Sequence, residues 1–233
     1  MIMIKVLKLT AILSLASLCT TFSLLRSKVF NMDRIHLHSS TSSELQINKS
    51  IFIFGLGYVG SALAKSLKSE GWKVSGTSTN VLKIRNLKDN GINAYLFDDE
   101  NGKMIQPEAI TDLTEASYII NTIPPSRSKM NSPYESDSVL AQHSSDIKRA
   151  ALGGNLKWIG YISSTGVYGD RSGAWVTEQD DIRPDNDKTK LRAAAESSWR
   201  GLFSRSGLPV HIFRVAGIYG PGRSAIDTVR KYK

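Results

Sequence analysis

Residues 50–60 read SIFIFGLGYVG, and this stretch decides the fold. Ile51–Phe54 is a short apolar run of the kind that forms a buried strand. It passes directly into the glycine spacing GxGxxG, and residues 57–69 then repeat apolar side chains every four positions, as an amphipathic helix does. A strand, a glycine turn and a helix in this order predict the first half of a βαβ unit with a phosphate-binding turn.

Each glycine of this turn has a predicted role. Gly55 permits the tight turn, Gly57 lets the backbone approach a pyrophosphate, and Gly60 lets the helix and strand pack closely. The first helical residues, Tyr58 and Val59, offer free backbone N–H groups and the positive end of the helix dipole. We therefore predict that all five residues bind a dinucleotide.

Apolar runs continue to alternate with amphipathic stretches as far as Val215. Further strands are predicted at Trp72–Gly76, Ile92–Phe97, Ser117–Ile123, Leu156–Ser163 and Val210–Val215, and further helices at Val81–Asn90, Ser136–Ala151 and Thr189–Phe203. Such alternation is typical of a parallel sheet with helices on both of its faces. The predicted fold class is α/β, with a doubly wound parallel sheet of the Rossmann type.

Composition and charge narrow the classes of function. The chain has 233 residues, 41% of them hydrophobic, and a formal net charge of +9, as a soluble globular domain can have. Its single cysteine, Cys19, excludes an intrachain disulfide framework, and its four histidines lack paired metal-ligand spacing, so no metal is predicted. Basic and acidic residues are interspersed after residue 48, which argues against a nucleic-acid partner.

The first 48 residues differ in composition from the rest of the chain. Residues 9–25 carry no charge and lie between Lys8 and Arg26, and the whole segment is rich in serine and threonine and poor in acids. These features favour a plastid transit peptide, while a secretory signal, a membrane anchor over residues 9–25 or a mitochondrial leader are the alternatives. We predict a leader over residues 1–48, a chloroplast location and a dinucleotide-binding domain over residues 49–233.

The end of the second strand bears on the choice of nicotinamide cofactor. Sites that prefer NAD usually place an acid there for the ribose 2′-hydroxyl. Here Thr77, Ser78 and Thr79 stand at that place, followed by Asn80 and Lys83. Hydroxyls and a nearby cation suit a 2′-phosphate, so the sequence predicts NADP in preference to NAD.

Two further strand ends complete the predicted cofactor site. Asp98 follows the third strand and is in a position to reach the adenine, although solvation of a loop explains an acid there equally well. Ile123 and Pro124 stand at the end of the fourth strand. In a parallel sheet these ends meet at the same edge as the glycine turn.

Two motifs at the ends of the last strands show a resemblance to a known family. Residues 162–170 read ISSTGVYGD, and residues 213–223 read FRVAGIYGPGR. With the glycine turn, they make residues 50–225 similar to the extended short-chain dehydrogenase/reductase superfamily, in its NAD-dependent epimerase/dehydratase branch. The resemblance implies a Rossmann domain with a smaller C-terminal substrate lobe. Because the chain stops at Lys233, we expect that lobe to be short or missing.

The resemblance also implies catalytic residues, and this chain departs from the pattern at one of them. Ser164 stands where the family has a hydroxyl that hydrogen-bonds the reacting oxygen. Lys190 falls on the lysine position of the Tyr-x-x-x-Lys motif, whereas Asn186 occupies the tyrosine position. An amide does not titrate near neutral pH and cannot act as a general acid or base. We predict Ser164 and Lys190 as catalytic residues and leave open which group replaces the tyrosine.

Three functional hypotheses follow. The first is an NAD(P)-dependent epimerase, dehydratase or reductase whose substrate is a small carbonyl, an alcohol or a nucleotide sugar. The alternative, favoured by Asn186, is a dinucleotide-binding sensor or scaffold with weak catalysis or none. A nucleic-acid or membrane-surface protein rests on the net charge alone. The predicted partners are a small-molecule substrate and a second copy of the chain, with no nucleic acid and no membrane span in the mature domain.

Overall fold

The computed structural model describes residues 49–98, 101, 105–126, 137–204, 207–224 and 229. The predicted leader lies outside these residues, so it and the chloroplast location remain predictions. Among the described residues, no helix is both long and apolar enough to cross a bilayer.

Strands and helices alternate along the described part of the chain. The strands are β1 (Ser50–Phe54), β2 (Lys73–Ser78), β3 (Asn93–Leu96), β4 (Tyr118–Asn121), β5 (Trp158–Ser164) and β6 (Val210–Val215). The helices are α1 (Tyr58–Ser69), α2 (Val81–Asp89), α3 (Pro107–Thr114), α4 (Ser138–Leu152) and α5 (Asp187–Phe203). A short 3₁₀ helix, Thr165–Tyr168, follows β5 directly.

All six strands form one parallel sheet in the order β3-β2-β1-β4-β5-β6. This order places the point at which the chain reverses its direction of winding between β1 and β4. Ligands of open α/β sheets bind in the crevice outside the carboxyl ends of the strands at that point. The prediction of a doubly wound parallel sheet is therefore confirmed, and the sheet order locates the candidate site.

The core is continuous from the central strands to the helices that cover them. β1 is buried along its whole length, and the rings of Phe52 and Phe54 meet edge to face with centroids 4.9 Å apart. On the same core, Trp199 of α5 stacks on Tyr161 of β5 at a centroid distance of 6.0 Å. Each such buried ring contributes about 1.5–3 kcal/mol to stability through removal of apolar surface from water.

The structure differs from the predicted elements in three places. Helix α3 was not predicted, because its eight residues carry only a short apolar pattern; Pro107 begins it, as proline often does. β2 extends to Ser78, since Thr77 and Ser78 pair with β3, whereas β4 ends at Asn121 and leaves Ile123 in the following loop.

Candidate functional site

The three glycines of the GLGYVG turn lie in three different environments. Gly55 has a φ of +86°, and a Cβ there would lie 2.7 Å from the Thr122 hydroxyl oxygen. A Cβ on Gly60 would collide with the carbonyl oxygen of Gly55. Gly57 has an ordinary φ of −72°, and a Cβ there would meet nothing within 4 Å. Gly55 and Gly60 are thus required by the fold, whereas Gly57 borders open space that a ligand can enter.

Side chains from three neighbouring elements hold the glycine turn in place. The Gly55 N–H donates to the Thr77 hydroxyl oxygen at 3.0 Å, and the Thr122 hydroxyl donates to the Gly55 carbonyl at 2.6 Å. The Lys83 ammonium donates to the Gly57 carbonyl at 3.2 Å. The turn is therefore pre-organised by the protein. Thr122 was not predicted, because a lone threonine after a strand carries no sequence signal.

The start of α1 supplies the groups that a phosphate needs. Gly57 is its N-cap and offers no side chain, and the first turn contains no acidic residue. The first backbone N–H groups of a helix, here those of Tyr58 and Val59 among others, have no partner within the helix. They carry the positive end of the helix dipole, which favours an anion at this place.

A cavity of about 350 Å³ lies at the carboxyl edge of the sheet. Ile123, which lines it, lies against Gly55 of the glycine turn. Four of the predicted site residues line the cavity, namely Thr79, Asp98, Ile123 and Pro124, and Ser138 at the start of α4 lines it as well. These residues come from the ends of three strands and one helix that are far apart in sequence. The volume lies within the range of about 300–1,000 Å³ that is usual for ligand pockets.

Thr77 does not have the position that the sequence suggested. Its side chain is fully buried, and its hydroxyl accepts the N–H of Gly55. In this structure Thr77 supports the glycine turn, and its direct contact with the cofactor stays a prediction. Ser78 is half-buried and Thr79 is exposed, so only these two predicted hydroxyls can reach a ligand.

The end of β2 is electropositive. Burial and the neighbouring Lys65 lower the pKa of Lys83, whose ammonium lies against the glycine turn. Asn80 caps α2 by accepting the N–H of Lys83 at 2.9 Å, which places the lysine in the first turn of that helix. No acid stands between Thr77 and Lys83, so the positive charge of Lys83 is free to attract a negatively charged group at this surface.

Ser164 stands at the last position of β5, where the strand passes into the 3₁₀ helix. Its hydroxyl oxygen accepts the N–H of Gly166 at 3.1 Å, and its side chain is partly exposed. In the sheet it pairs with Val215, the last residue of β6. A Cβ built at Gly166 would lie 3.4 Å from this hydroxyl and 3.1 Å from the methyl group of Thr189. Ser164 therefore lies beside the first turn of α5.

Lys190 and Arg192 lie in different environments on α5. Its side chain is exposed, whereas Arg192 lies on the side of the helix that faces the sheet and donates to the Ile162 carbonyl at 2.9 Å. Arg192 repeats with Ala195 and Trp199 at helical spacing, and this pattern could have identified it. The cation that contacts the end of β5 is Arg192, while the catalytic role of Lys190 stays a prediction.

Asn186 is the N-cap of α5. Its amide oxygen accepts the N–H of Thr189 at 3.1 Å, and its own N–H donates to the Thr189 hydroxyl at 3.2 Å. This reciprocal pair is a capping box. The side chain that stands at the family's tyrosine position is thus committed to starting the helix, and Lys188, four residues before Arg192, is not a tyrosine either.

Tyr168 has a structural role, because it is buried and contacts Arg214. Its hydroxyl accepts from the Arg214 guanidinium at 2.9 Å, and the same guanidinium lies 4.8 Å from the centre of its ring. With only 5% of its surface exposed, Tyr168 cannot reach a substrate in this arrangement. Among the described residues, no group of three histidine, cysteine, aspartate or glutamate side chains is arranged to hold a metal ion.

Comparison with known proteins agrees with this geometry. The model of the NAD dependent epimerase/dehydratase family matches residues 51–232. Most of the chain is covered by this match, and the chain belongs to that family.

Three similar proteins illustrate the relationship. Protein YeeZ of Escherichia coli K12 is 32% identical over 175 residues, which are 75% of this chain and 61% of YeeZ, so the chain spans about three fifths of that relative. A conserved protein of unknown function from Silicibacter pomeroyi is 30% identical, with a TM-score of 0.63 over 78% of this chain and 57% of its own. WbmH of Bordetella bronchiseptica, solved in complex with NAD+, is 20% identical, with a TM-score of 0.53 over 76% of this chain and 58% of its own, and shows the shared fold.

Proposed function

We propose that this chain binds NADP(H) on its glycine turn and acts as an oxidoreductase or epimerase on a small carbonyl or alcohol, or on a nucleotide sugar. The observation that carries the proposal is the combination of a pre-organised turn, open space at Gly57 and a cavity at the same edge of the sheet. Membership of the NAD dependent epimerase/dehydratase family supports it, as does the NAD+ bound by WbmH.

Two parts of this edge have residues suited to parts of a dinucleotide. The N–H groups at the start of α1 would hold the pyrophosphate, and the cavity bordered by Thr79 and Asp98 would hold the adenosine. A bound nicotinamide supplies the hydride donor or acceptor. Ser164, at the end of β5, lies on the opposite side of the switch point, where the nicotinamide end of an extended dinucleotide would lie.

Ser164 and Arg192 are the residues to which we assign the chemistry. The Ser164 hydroxyl would donate to the substrate oxygen and stabilise the negative charge that develops on it. Arg192 would hold its guanidinium beside the end of β5 and stabilise the same negative charge. Neither Asn186 nor Lys188 is a tyrosine, so the proton in a reduction comes from a group other than the tyrosine of the Tyr-x-x-x-Lys motif.

The preference for NADP(H) is supported by the charge at the end of β2. Ser78 and Thr79 offer hydroxyls, and Lys83 carries a positive charge in the first turn of α2. An acid at position 78 would repel a 2′-phosphate but accept a hydrogen bond from a 2′-hydroxyl.

Calorimetric titration of the chain with NADPH and NADH tests both parts of this proposal. We expect the wild type to bind NADPH more tightly, and Ser78→Asp to reverse that order. Thr111→Asp, on the exposed side of α3, is the matched control, because it adds the same charge away from the site and should leave the order unchanged. Tighter binding of NADH by the wild type would contradict the NADP assignment, and no binding of either would contradict the function.

A dinucleotide sensor without catalysis is the second candidate, and the capping role of Asn186 favours it. A sensor would bind NADPH as tightly as an enzyme does but would not oxidise it. NADPH oxidation measured with a panel of small aldehydes and nucleotide-sugar ketones separates the two. Turnover that decreases in the Ser164→Ala variant supports an enzyme. Binding of NADPH without turnover of any tested substrate supports a sensor.

A further inference from the structure

A tight turn that follows β6 lies beside the glycine turn. Residues 220–223 read Gly-Pro-Gly-Arg, and Gly220 and Arg223 exchange two backbone hydrogen bonds of 3.0 Å each. Pro221 occupies the second position, and Gly222, with a φ of +69°, occupies the third, which is the pattern of a type II turn. The conformation is set by these residue types, so Arg223 is held at a defined place.

Tyr58 joins this turn to the glycine turn. Its hydroxyl donates to the Pro221 carbonyl oxygen at 3.2 Å, and a side chain at Gly220 would collide with that hydroxyl. The guanidinium carbon of Arg223 lies 5.5 Å from the centre of the Tyr58 ring, as in a cation–π contact. Tyr58 is also the first residue of α1, so its backbone N–H belongs to the group that faces the pyrophosphate in the proposed complex.

Arg223 places a positive charge beside the start of α1, whose first turn contains no charged side chain. The first turn of α1 contains no acidic residue, and within the described part of the chain no carboxylate forms an ion pair with Arg223. Its side chain is exposed. A guanidinium with free donors binds phosphate oxygens through two parallel hydrogen bonds, which a lysine cannot do.

We propose that Arg223 is a ligand for the pyrophosphate of the bound dinucleotide and that Tyr58 positions it. This inference rests on the proposed function, because it requires a dinucleotide on the glycine turn. The N–H groups at the start of α1 and the guanidinium of Arg223 would both donate hydrogen bonds to the pyrophosphate. A nucleotide-sugar substrate has the same phosphate chemistry, but Tyr58 is part of the glycine turn, which favours the dinucleotide as the source.

Calorimetric titration of the whole chain with four probes tests this assignment. NADPH and ADP-ribose contain a pyrophosphate, adenosine 2′-phosphate lacks one, and UDP-glucose represents the substrate class. We expect Arg223→Gln to weaken binding of NADPH and ADP-ribose by about tenfold, since one charge-assisted contact is lost, and to leave adenosine 2′-phosphate unchanged. Arg223→Lys should recover part of the loss, and Arg200→Gln, an exposed site on α5, is the matched charge control.

Tyr58→Phe tests the positioning role separately. It keeps the ring beneath Arg223 and removes only the hydrogen bond to Pro221. We expect NADPH binding to weaken about threefold and adenosine 2′-phosphate binding to stay the same, because an average neutral hydrogen bond contributes about 1 kcal/mol or less.

Three outcomes would overturn the inference, and a fourth would overturn the proposed function instead. Unchanged NADPH affinity in Arg223→Gln would exclude the contact. Equal losses for NADPH and adenosine 2′-phosphate would show a disturbed turn rather than a lost ligand. A loss for UDP-glucose alone would assign Arg223 to the substrate. A wild type that binds neither NADPH nor ADP-ribose would contradict dinucleotide binding itself.

Discussion

The proposed chemistry can be tested by substitution of a single side chain, that of Ser164. We expect Ser164→Ala to lower turnover by about 100-fold or more, as removal of an oxyanion donor commonly does, and to leave NADPH affinity unchanged. Steady-state NADPH oxidation and calorimetry measure the two effects. Ser164→Thr keeps the hydroxyl and should retain most of the activity, whereas equal activity in wild type and Ser164→Ala would exclude the assigned role.

Ser164→Ala also affects stability, and this effect must be measured together with turnover and affinity. The Ser164 hydroxyl oxygen accepts the Gly166 N–H at the start of the 3₁₀ helix. Loss of such a cap costs about 1 kcal/mol. A thermal melt of Ser164→Ala should therefore show a small decrease in Tm with an unchanged cooperative transition, which would separate loss of chemistry from loss of fold.

The sequence predicts the role of a single residue where its chemistry is local, but it does not predict the direction in which a side chain points. The glycine spacing predicts Gly55, Gly57 and Gly60 because a tight turn and close packing require those residues at those places. The burial of Thr77 and the outward direction of Lys190 depend on which side of a strand or helix faces the core. That direction is decided by the register of the whole element, which a motif alone does not contain.

At the scale of elements, Asp112 joins α3 to the edge of the sheet. Its carboxylate accepts from Ser75 at 2.7 Å and from Tyr95 at 2.8 Å, and the Lys73 ammonium lies 2.9 Å away. Burial would raise the pKa of Asp112, but the hydrogen bonds from Lys73 and Ser75, together with those from Asn93 and Tyr95, lower it overall. The ionised form is therefore favoured by folding.

Acid unfolding tests this contact. A carboxylate whose folded pKa is lowered stabilises the fold above its unfolded pKa of about 3.9, and this contribution is lost as the pH falls through the folded pKa. We expect Asp112→Asn to decrease the free energy of unfolding by about 1–2 kcal/mol at pH 7 and by progressively less below pH 4. Urea titrations from pH 7 to pH 3 measure it; a difference that does not change with pH would contradict the ionic contribution.

Helix α3 also shows what the sequence could not predict about the elements. Its buried apolar residues, Ala109 and Leu113, are too few to give a clear helical period. Asp112 holds it to β2 and β3 through contacts between residues 17 to 37 positions apart. Tertiary contacts of that range decide where a short helix packs, and they carry no local pattern.

At the scale of the whole molecule, Glu196 joins α5 to the last two strands. Its carboxylate accepts from the Ser163 hydroxyl at 2.5 Å and from two nitrogens of Arg214, the nearest at 2.8 Å. The side chains of Glu196 and Arg214 are 2% and 13% exposed. A carboxylate in such a place is stable only because its partners satisfy it, so the contact holds β5, β6 and α5 in one arrangement.

Removal of the Glu196 charge should destabilise the chain strongly. We expect Glu196→Gln to lower the free energy of unfolding by about 3 kcal/mol. The Arg214 side chain is only 13% exposed, and its charge would lose its carboxylate partner. Ser163→Ala removes only one neutral donor and should cost about 1 kcal/mol. Urea unfolding followed by tryptophan fluorescence compares them, since Trp199 lies in the adjoining core. Equal effects of the two changes would show that the ion pair is not the main contribution.

The sheet order could be predicted from the sequence, because alternating buried strands and helices that begin with GxGxxG allow few other topologies. The candidate cavity could be located only in part. Thr79, Asp98, Ile123 and Pro124 were predicted from strand ends, and the fold does bring them together. Thr122 was missed because its hydroxyl contacts Gly55, which is distant in sequence, and Ser138 was missed because it lines the cavity with residues from distant segments.

Dinucleotide binding at Gly57 is tested most directly by calorimetric titration of NADPH into the wild type, Gly57→Ala and Gly201→Ala. In the protein alone both positions have open space for a methyl group, so both variants should fold. We expect Gly57→Ala to weaken NADPH binding by about tenfold or more, equivalent to about 1.4 kcal/mol, because the methyl group would occupy the place of the pyrophosphate. Gly201→Ala, within α5, should bind as the wild type does; equal affinity in all three proteins would contradict binding at the glycine turn.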